Sequence, residues 1–346
     1  MKVQHPALWG LASVFLLAGC GTTGQASPKS HPNKVFSSKK TVKPGTVTKG
    51  SAKLKVLAFW AHHKSLPPSS LAGYKRSITY LSPLWYSVTA SGALKTHVDS
   101  ALLAEDKKLH IPIVPIVNDA TGAQTFLKSA ATRKITVTNI DHIIATNHYS
   151  GVDIDFEPPH TRVKTDLTRF MTELHDSLPH TDIIVLDIVP HSGGAYNFKA
   201  LAPEVSQFQL MTYDQHADGT TAGPVAALNW VTSLTTRLKS IVPSSKIYLG
   251  VALYGYRWAA GSTHATTIPY YSVTPAIKSK EVWSARYQEM SAHVGSNIYW
   301  WENRKGIGQK IALAKKDHLA GVAFWQIGYA TPSIYSELTK DIGTQP

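Results

Sequence analysis

Short apolar runs alternate with polar stretches of helical periodicity from Lys53 onward. The runs have the length and the β-branched and aromatic content of buried strands. They are VLAFWA (56–61), SITYLSPLWY (77–86), IPIVPIVN (111–118), GVDIDF (151–156), DIIVLDIV (182–189), FQLMTY (208–213), IYLGVALYG (247–255) and GVAFWQIG (321–328). Eight runs with helical stretches in most of the gaps predict an α/β fold, a (β/α)8 or TIM barrel, over residues 53–346.

One connecting segment illustrates the helical period. Its apolar residues fall on one face at 3.6 spacing, and they are Val163, Leu167, Phe170, Met171, Leu174 and Leu178. Such a stripe is expected to pack against the sheet. A doubly wound open sheet would have the same rhythm, but no GxGxxG follows the first run and no GxxxxGK occurs in the chain.

The gap between the seventh and eighth runs, residues 256–320, is too long for one helix. It predicts a small inserted α+β subdomain, at about 256–307, over the mouth of the barrel.

The first 20 residues have a charged start at Lys2 and an apolar run from Ala7 to Ala18. A run of about 12 residues is short for a membrane span and has the length of a signal-peptide core. The residues that end at Cys20, LAGC, resemble the lipobox of bacterial lipoproteins, in which the cysteine is lipidated. We therefore expect a lipoprotein signal peptide over 1–20; the alternative is an ordinary cleaved signal with a chance cysteine or a free thiol.

Residues 21–52 are mostly Gly, Ser, Thr, Pro and Lys. This composition cannot bury enough surface to fold, so it predicts a flexible basic linker. Its lysines would be attracted to an anionic membrane or wall polymer, or the segment is simply a solvated spacer.

Charge and cysteine content exclude several classes of protein. The chain of 346 residues carries +13, yet seven lysines and no acid lie in residues 1–50, which leaves +6 for the rest. Without a clustered basic groove or a recognised motif, we expect no nucleic-acid partner. The single cysteine, Cys20, excludes an internal disulfide, a Cys-based zinc site and a CxxC motif.

The segment GVDIDFEPP, residues 151–159, carries the sharpest chemical pattern. Because side chains alternate along a strand, Asp153, Asp155 and Glu157 face one way and the apolar residues between them face the other. In a barrel the apolar face packs on the helices, so the acids should point inward and toward the C-terminal mouth, where barrel enzymes keep their active sites.

Three neighbouring carboxylates inside a barrel repel one another and lose hydration, so at least one pKa should rise. This is the arrangement that keeps one carboxylic acid protonated near neutral pH as a proton donor. The alternatives are the polar outer face of an edge strand and a divalent-metal site, which would lack a second cluster of ligands. We expect no metal and no cofactor.

The acidic row resembles the DGxDxDxE motif of family 18 glycoside hydrolases. Other stretches are similar to the family's sixth, seventh and eighth strands, and they are MTYD (211–214), LGVALYG (249–255) and GVAFWQ (321–326). ITYLSPLWY (78–86) and FWQIGYA (324–330) are most similar to the bacterial branch that includes spore-germination and cortex-lytic N-acetylglucosaminidases. The resemblance covers about residues 54–340.

The resemblance implies catalytic roles for four residues. Glu157 would be the general acid, and Asp155 would orient the substrate acetamido group and stabilise an oxazolinium ion in a substrate-assisted mechanism. Asp153 would hold a shared proton behind Asp155, and Tyr213 would hydrogen-bond the acetamido carbonyl.

The resemblance also implies substrate-binding residues, namely Asp214, Trp325 as the floor beneath the sugar, Tyr254 and Met211. One departure is Ser150, which stands where the family row has its first Asp and removes an outer carboxylate. The aromatic residues of the insert either form a wall for stacking sugar rings or a compact core, and the core is the default for most of them. They are Tyr256, Trp258, Tyr270, Tyr271, Trp283, Tyr287, Tyr299, Trp300 and Trp301.

Other polar residues carry weaker signals. A metal site on His62, His63 and His160 lacks HxH or HExxH spacing, so packing or solvent-facing roles are favoured. Asn118, Asp119 and Asp187 lie near the ends of the third and fifth runs and are candidates to line the cleft. No GxSxG elbow is present.

These observations predict a retaining glycosidase that cleaves β-linked N-acetylglucosaminyl bonds in peptidoglycan or chitin. We expect a monomer outside the cytoplasm, lipid-anchored to the cell membrane, or secreted or spore-associated. The first alternative is a non-catalytic, lectin-like glycan-binding protein on the same barrel, although such proteins typically lose the general acid. A surface scaffold with no sugar ligand is a weaker alternative, because inward-facing acids argue against it.

Overall fold

The computed structural model describes residues 53–61, 66–122, 124–157, 159–190, 192 and 194–342. The predicted signal peptide with Cys20, the predicted linker, and His62 and His63 lie outside these residues. In the described ranges, no helix is both long enough and apolar enough to cross a bilayer.

The strands of the described ranges follow the apolar runs. They are β1 (Lys55–Trp60), β2 (Tyr80–Val88), β3 (Leu94–Thr96), β4 (Ile116–Asp119), β5 (Gly151–Asp155), β6 (Ile183–Ile188), β7 (Gln207–Leu210), β8 (Ile247–Ala252), β9 (Tyr254–Ala259), β10 (Ala265–Pro269), β11 (Glu281–Ser284), β12 (Glu289–Val294), β13 (Asn297–Trp301) and β14 (Gly321–Trp325).

Eight of these strands, all parallel, close into a barrel. The order is β1-β2-β4-β5-β6-β7-β8-β14, with β14 pairing back to β1. The short β3 adds an antiparallel edge to β2. This topology confirms the predicted (β/α)8 barrel.

The helices of the described ranges are α1 (Ser100–Leu109), α2 (Ala130–Asn147), α3 (Lys164–Ser177), α4 (Phe198–Leu201), α5 (Leu228–Lys239), α6 (Pro275–Lys278), α7 (Arg304–Lys316) and α8 (Pro332–Ile342). The predicted stripe on α3 and its flanks is buried along its whole length, from Val163 to Leu178. A surface helix of a barrel therefore buries one apolar face, as its 3.6 period requires.

Several strands are shorter than the runs that predicted them, and two of these differences have a local cause. In IPIVPIVN only the C-terminal half joins the sheet as β4, and Ile113 forms an isolated bridge to Leu81. Pro112 and Pro115 have no N–H to donate, which explains the interrupted ladder. The seventh run is divided at Leu253, where the chain leaves the barrel for the inserted subdomain.

The inserted subdomain is a five-stranded antiparallel sheet of order β10-β9-β13-β12-β11, with α6 against it. Its strands run from residue 254 to residue 301, whereas the sequence placed the insert at about 256–307. The next element, α7, contacts barrel strands β8 and β14 and so belongs to the outer ring of the barrel. The prediction of an α+β insert between the seventh and eighth barrel strands is confirmed.

Aromatic residues of the insert divide between its two faces. Tyr299 and Trp301 form a core with Met290 on one side of the sheet. Tyr256 and Trp258 are buried on the side toward the barrel. Packing therefore accounts for these four, and no wall for a ligand is needed to explain them.

Candidate active site

The acids of β5 point into the barrel. Asp153 has no solvent-exposed surface, and its neighbours in the sheet are Ile116 on β4 and Val185 on β6. Both neighbours belong to the apolar cluster inside the barrel, whereas Ile154 packs into the outer cluster beneath the helices. The alternation of the strand therefore places the carboxylates on the inner face.

Gly151 permits this placement at the start of β5. A Cβ built on it would lie 1.9 Å from the carbonyl oxygen of Ile183 on β6. Its φ of 145° is also a conformation that residues with side chains rarely adopt. Only glycine lets the acidic strand approach β6 this closely.

Asp153 is the innermost acid. Its Oδ2 accepts a hydrogen bond of 2.8 Å from Oγ of Ser82 on β2. Burial raises the pKa of Asp153 to about 8, and the Ser82 hydroxyl opposes part of this rise. Burial therefore opposes ionisation of Asp153 at neutral pH.

Asp155 and Glu157 lie nearer the mouth and are half-buried. Their carboxyls are hydrogen-bonded to each other, and this bond lowers the pKa of Asp155 while raising that of Glu157. Burial is the larger cause for both and raises both pKa values, that of Glu157 well above its ordinary value. A protonated Glu157 donating to an ionised Asp155 is the state that this pair favours.

A fourth acid, Asp187 on β6, joins the cluster. It is 4% exposed, and its carboxyl is hydrogen-bonded to that of Asp153. Burial raises the pKa of Asp187 well above its ordinary value, and the charges of Asp153, Asp155 and Glu157 raise it further. The sequence placed Asp187 near the end of the fifth run as a candidate to line the cleft; the structure places it among the buried acids.

Asp214 follows β7 and is held by two phenols. Its Oδ1 accepts hydrogen bonds from Tyr254 at 2.5 Å and from Tyr256 at 2.8 Å. These donors oppose the rise in the pKa of Asp214 that burial causes. The backbone of Asp214 is left-handed, with φ of 59°, a strained conformation often found at functional sites.

Tyr213 lies close to both the acidic row and Asp214. It is 9% exposed, and its ring lies 6.2 Å from that of Tyr254 in an edge-on arrangement. Burial raises the pKa of Tyr213 well above its ordinary value, and the charges of Asp187, Glu157, Asp155 and Asp214 add to the rise. The phenol therefore stays a neutral hydrogen-bond donor near all of these acids.

Trp325 ends β14 at the mouth and is half-buried. Its ring lies 5.1 Å from that of Phe59, centroid to centroid, at the top of the apolar cluster inside the barrel. Met211, by contrast, is 6% exposed and packs into the outer core. Of the predicted substrate-binding residues, Met211 and Tyr254, which is 3% exposed, offer little surface to a ligand.

Three contacts of the site could not be identified from the sequence. Ser82 on β2 and Tyr256 on β9 lie in strands that carry other polar residues, and only the folded structure shows that they bind Asp153 and Asp214. Glu289 on β12 is fully buried and accepts hydrogen bonds of 2.7 and 2.9 Å from the N–H groups of Val225 and Ala226. It thus ties the insert to the loop after Asp214.

Other candidates have local roles. Asn118 accepts a 2.6 Å hydrogen bond from Ser87 and lies beside Asp155 in the register of β4 and β5. Asp119 accepts hydrogen bonds from the backbone N–H groups of Thr121 and Gln124 and so shapes the loop after β4. In the part of the chain that the structure describes, no three His, Cys, Asp or Glu side chains are grouped to hold a metal ion.

The site therefore combines three chemical capacities at the C-terminal mouth of the barrel. It has a carboxylic acid that keeps its proton at neutral pH, a carboxylate directly hydrogen-bonded to it, and neutral phenols and an aromatic ring at the rim. These are the groups needed to protonate a leaving oxygen and stabilise a developing positive charge.

Known proteins resemble this chain in sequence and in fold. The family described as glycosyl hydrolases family 18 matches residues 103–330. YdhD of Bacillus subtilis, which is named as a sporulation-specific glycosylase, is 25% identical over 286 residues, covering 74% of this chain and 66% of that protein. The cortical fragment-lytic enzyme of Bacillus anthracis is 23% identical over 293 residues, covering 76% and 68%. The chain thus spans about two thirds of the length of these relatives.

Among solved structures, the spore cortex-lytic enzyme SleL of Bacillus cereus superposes with a TM-score of 0.75 at 19% identity, over 84% of this chain and 75% of that one. The shared feature at this identity is the fold, including the barrel that positions the acids.

Proposed function

Because the chain belongs to family 18 of the glycosyl hydrolases, we propose that this glycosidase cleaves β-linked N-acetylglucosaminyl bonds in peptidoglycan with retention of configuration. The observation that carries the proposal is the hydrogen-bonded pair of Glu157 and Asp155 at the mouth of the barrel. One member holds a proton and the other a negative charge, which is what acid-assisted departure of a sugar requires.

In the proposed mechanism Glu157 gives its proton to the glycosidic oxygen, and the bond from that oxygen to the anomeric carbon breaks. The carbonyl oxygen of the substrate's own acetamido group attacks the anomeric carbon and forms an oxazolinium ion. Asp155 stabilises its positive charge, and Glu157, now ionised, takes a proton from the water that opens the ring. Two inversions at the anomeric carbon give net retention.

The surrounding residues support the same steps. Tyr213, kept neutral by burial, would donate to the acetamido carbonyl oxygen. Asp214, fixed by Tyr254 and Tyr256, would accept from a hydroxyl of the same sugar. Trp325 at the end of β14 would form the floor beneath the ring.

Peptidoglycan is the polymer that we favour over chitin. The support comes from relatives named for sporulation and for cortical fragment lysis, and from the N-terminal sequence, which we interpret as a lipoprotein signal and a basic tether. Lipidation at Cys20 would hold the enzyme outside the cytoplasm beside the wall. This location predicts that a Cys20→Ala variant is lost from the membrane fraction, which cell fractionation tests.

A digestion panel tests the function. The purified protein is incubated with spore cortex, vegetative peptidoglycan and chitooligosaccharides, and the products are identified by mass. We expect fragments that end in reducing N-acetylglucosamine from at least one peptidoglycan. Release of fragments from chitooligosaccharides alone would transfer the proposal to chitin, and binding without turnover would indicate a lectin instead.

A further inference from the structure

Asp187 is a buried acid that the proposed mechanism does not use. It lies on β6 two residues after Val185, which faces the barrel interior beside Asp153. The alternation of the strand puts Asp187 on the same inner face, one layer nearer the mouth, where its sheet neighbour on β7 is Gln209. An acid at this position inside an apolar strand has no structural benefit of its own.

The contact between Asp187 and Asp153 requires a proton. Oδ2 of Asp153 accepts the hydrogen bond from the Ser82 hydroxyl. Among the described residues, no N–H group, hydroxyl or amine donates to Oδ1 of Asp153 or to Oδ1 of Asp187. Their carboxyls are nevertheless hydrogen-bonded to each other. Two carboxyl groups can make such a bond only if one of them is protonated.

We propose that Asp187 is a positioning residue of the acidic cluster, which shares one proton with Asp153 and so fixes the carboxyl of Asp153 behind Asp155. This inference rests on the proposed function for its catalytic consequence. The shared proton itself does not depend on that function, because it rests on the burial of the two acids, their places on neighbouring strands and the contact between their carboxyls. In this proposal Asp187 acts through the carboxyl of Asp153, so it is a positioning residue and not itself a catalytic one.

The effect of the hydrogen bond on the two pKa values indicates which carboxyl carries the proton. The bond raises the pKa of Asp187 and lowers that of Asp153, so Asp187 is the donor. The titratable groups near this pair lie on several elements of the barrel, and they are Asp155 and Glu157 after β5, Tyr196 in the loop after β6, Tyr213 after β7 and Tyr248 on β8. Among the described residues that act on this pair none is a cation, so the shared proton is what keeps the pair from ionising twice.

A stability measurement tests the shared proton without reference to catalysis. Asp187 keeps its proton in the folded state and loses it on unfolding above about pH 4, so its presence destabilises the fold increasingly as pH rises. Asp187→Asn keeps the shape and a donor but does not titrate. The reference for this series is the double variant D153N/D187N, in which neither member of the pair titrates. We expect the unfolding equilibrium constant of the parent, relative to that of the double variant, to rise up to about tenfold per pH unit between pH 5 and pH 7, which is the slope of one retained proton.

An activity measurement tests the positioning role. In D187N the weaker amide donor should leave the pKa of Asp153 higher, and Asp187 no longer titrates, so the pH profile of kcat should differ from that of the parent. We expect kcat to fall tenfold or more while KM stays within twofold. Asp106→Asn is the matched control: Asp106 on α1 is also a buried acid, and its pKa is raised to about 6, but it lies outside the barrel interior. D106N should leave kcat unchanged.

The outcomes separate the two proposals. If the parent hydrolyses peptidoglycan and D187N has the same kcat and the same pH profile of kcat, the positioning role is wrong. If the ratio of unfolding constants does not change with pH, the shared proton is wrong, whatever the activity. If the parent releases no fragments, the proposed function is wrong, and the stability series still shows whether Asp153 and Asp187 share a proton. Should D187N not fold, Asp187→Ser, which is smaller and retains a hydroxyl donor, replaces it in both series.

Discussion

The hydroxyl of Ser82 donates a 2.8 Å hydrogen bond to Oδ2 of Asp153, which joins β2 to β5 through the interior of the barrel. Ser82→Ala removes a donor from a fully buried acid and should raise the pKa of Asp153 further. We expect a loss of about 1–3 kcal/mol in the free energy of unfolding and a drop in kcat with little change in KM.

Ser87→Ala is the control for this variant. Ser87 lies on the same strand and donates to Asn118, not to an acid. Urea unfolding and initial rates at several pH values distinguish the two variants. Equal kcat for S82A and S87A would show that the bond to Asp153 has no part in the reaction.

The two phenols on Asp214 should act together. Tyr254→Phe and Tyr256→Phe each leave one donor on Oδ1 of Asp214, whereas the double variant leaves a buried carboxylate with neither phenol. Each single change should reduce kcat/KM by about tenfold, the equivalent of about 1.4 kcal/mol. The double variant should lose more than the two single losses combined, because the pKa of Asp214 then rises. A double-variant cycle with purely additive losses would contradict this role.

Removal of one partner from the buried ion pair of Lys310 and Glu302 should destabilise the protein more than replacement of both partners. Both side chains are fully buried, and the Nζ of Lys310 donates to Oε1 of Glu302. Lys310→Met leaves an uncompensated acid and should cost about 3–5 kcal/mol in the free energy of unfolding. The double variant Lys310→Met with Glu302→Gln should recover most of that loss in urea unfolding. A double variant no more stable than K310M would show that packing, not charge, is lost.

The pH dependence of hydrolysis follows from the two acids at the mouth. Burial raises the pKa of Glu157 well above its ordinary value, so the proton donor should remain loaded at neutral pH and be lost only at alkaline pH. Burial also raises the pKa of Asp155, so activity should fall on acidification at a pH above about 4, where aspartate usually titrates. A pH–rate profile of kcat/KM on a defined oligosaccharide checks both limbs. Full activity at pH 4 would contradict the direction given for Asp155.

The fold could be predicted because its signals are local. Each barrel strand is an apolar run between polar stretches, and the stripe from Val163 to Leu178 has a period that only a helix satisfies. The inner placement of Asp153 and Asp155 follows from the same alternation of a strand. None of these inferences needs knowledge of which strand lies beside which.

The remaining parts of the site depend on pairings between distant segments. Ser82 meets Asp153 across 71 residues, and Glu289 meets Val225 across 64. Asp187 belongs to the acids only because β6 lies next to β5 in the closed barrel. The ends of the seventh run could not be predicted, because the chain continues as a strand when it passes into the insert.

The proposed mechanism depends on one step, in which Glu157 supplies the proton that breaks the glycosidic bond. Its most direct test is the rate of fragment release by Glu157→Gln, with a matched thermal unfolding curve and a binding isotherm for a peptidoglycan oligosaccharide. Glutamine keeps the size of the side chain and cannot donate this proton. We expect kcat to fall by at least about 1,000-fold, while the melting temperature and the affinity stay close to those of the parent. Hydrolysis by the folded E157Q protein at the parental rate would show that Glu157 is not the proton donor.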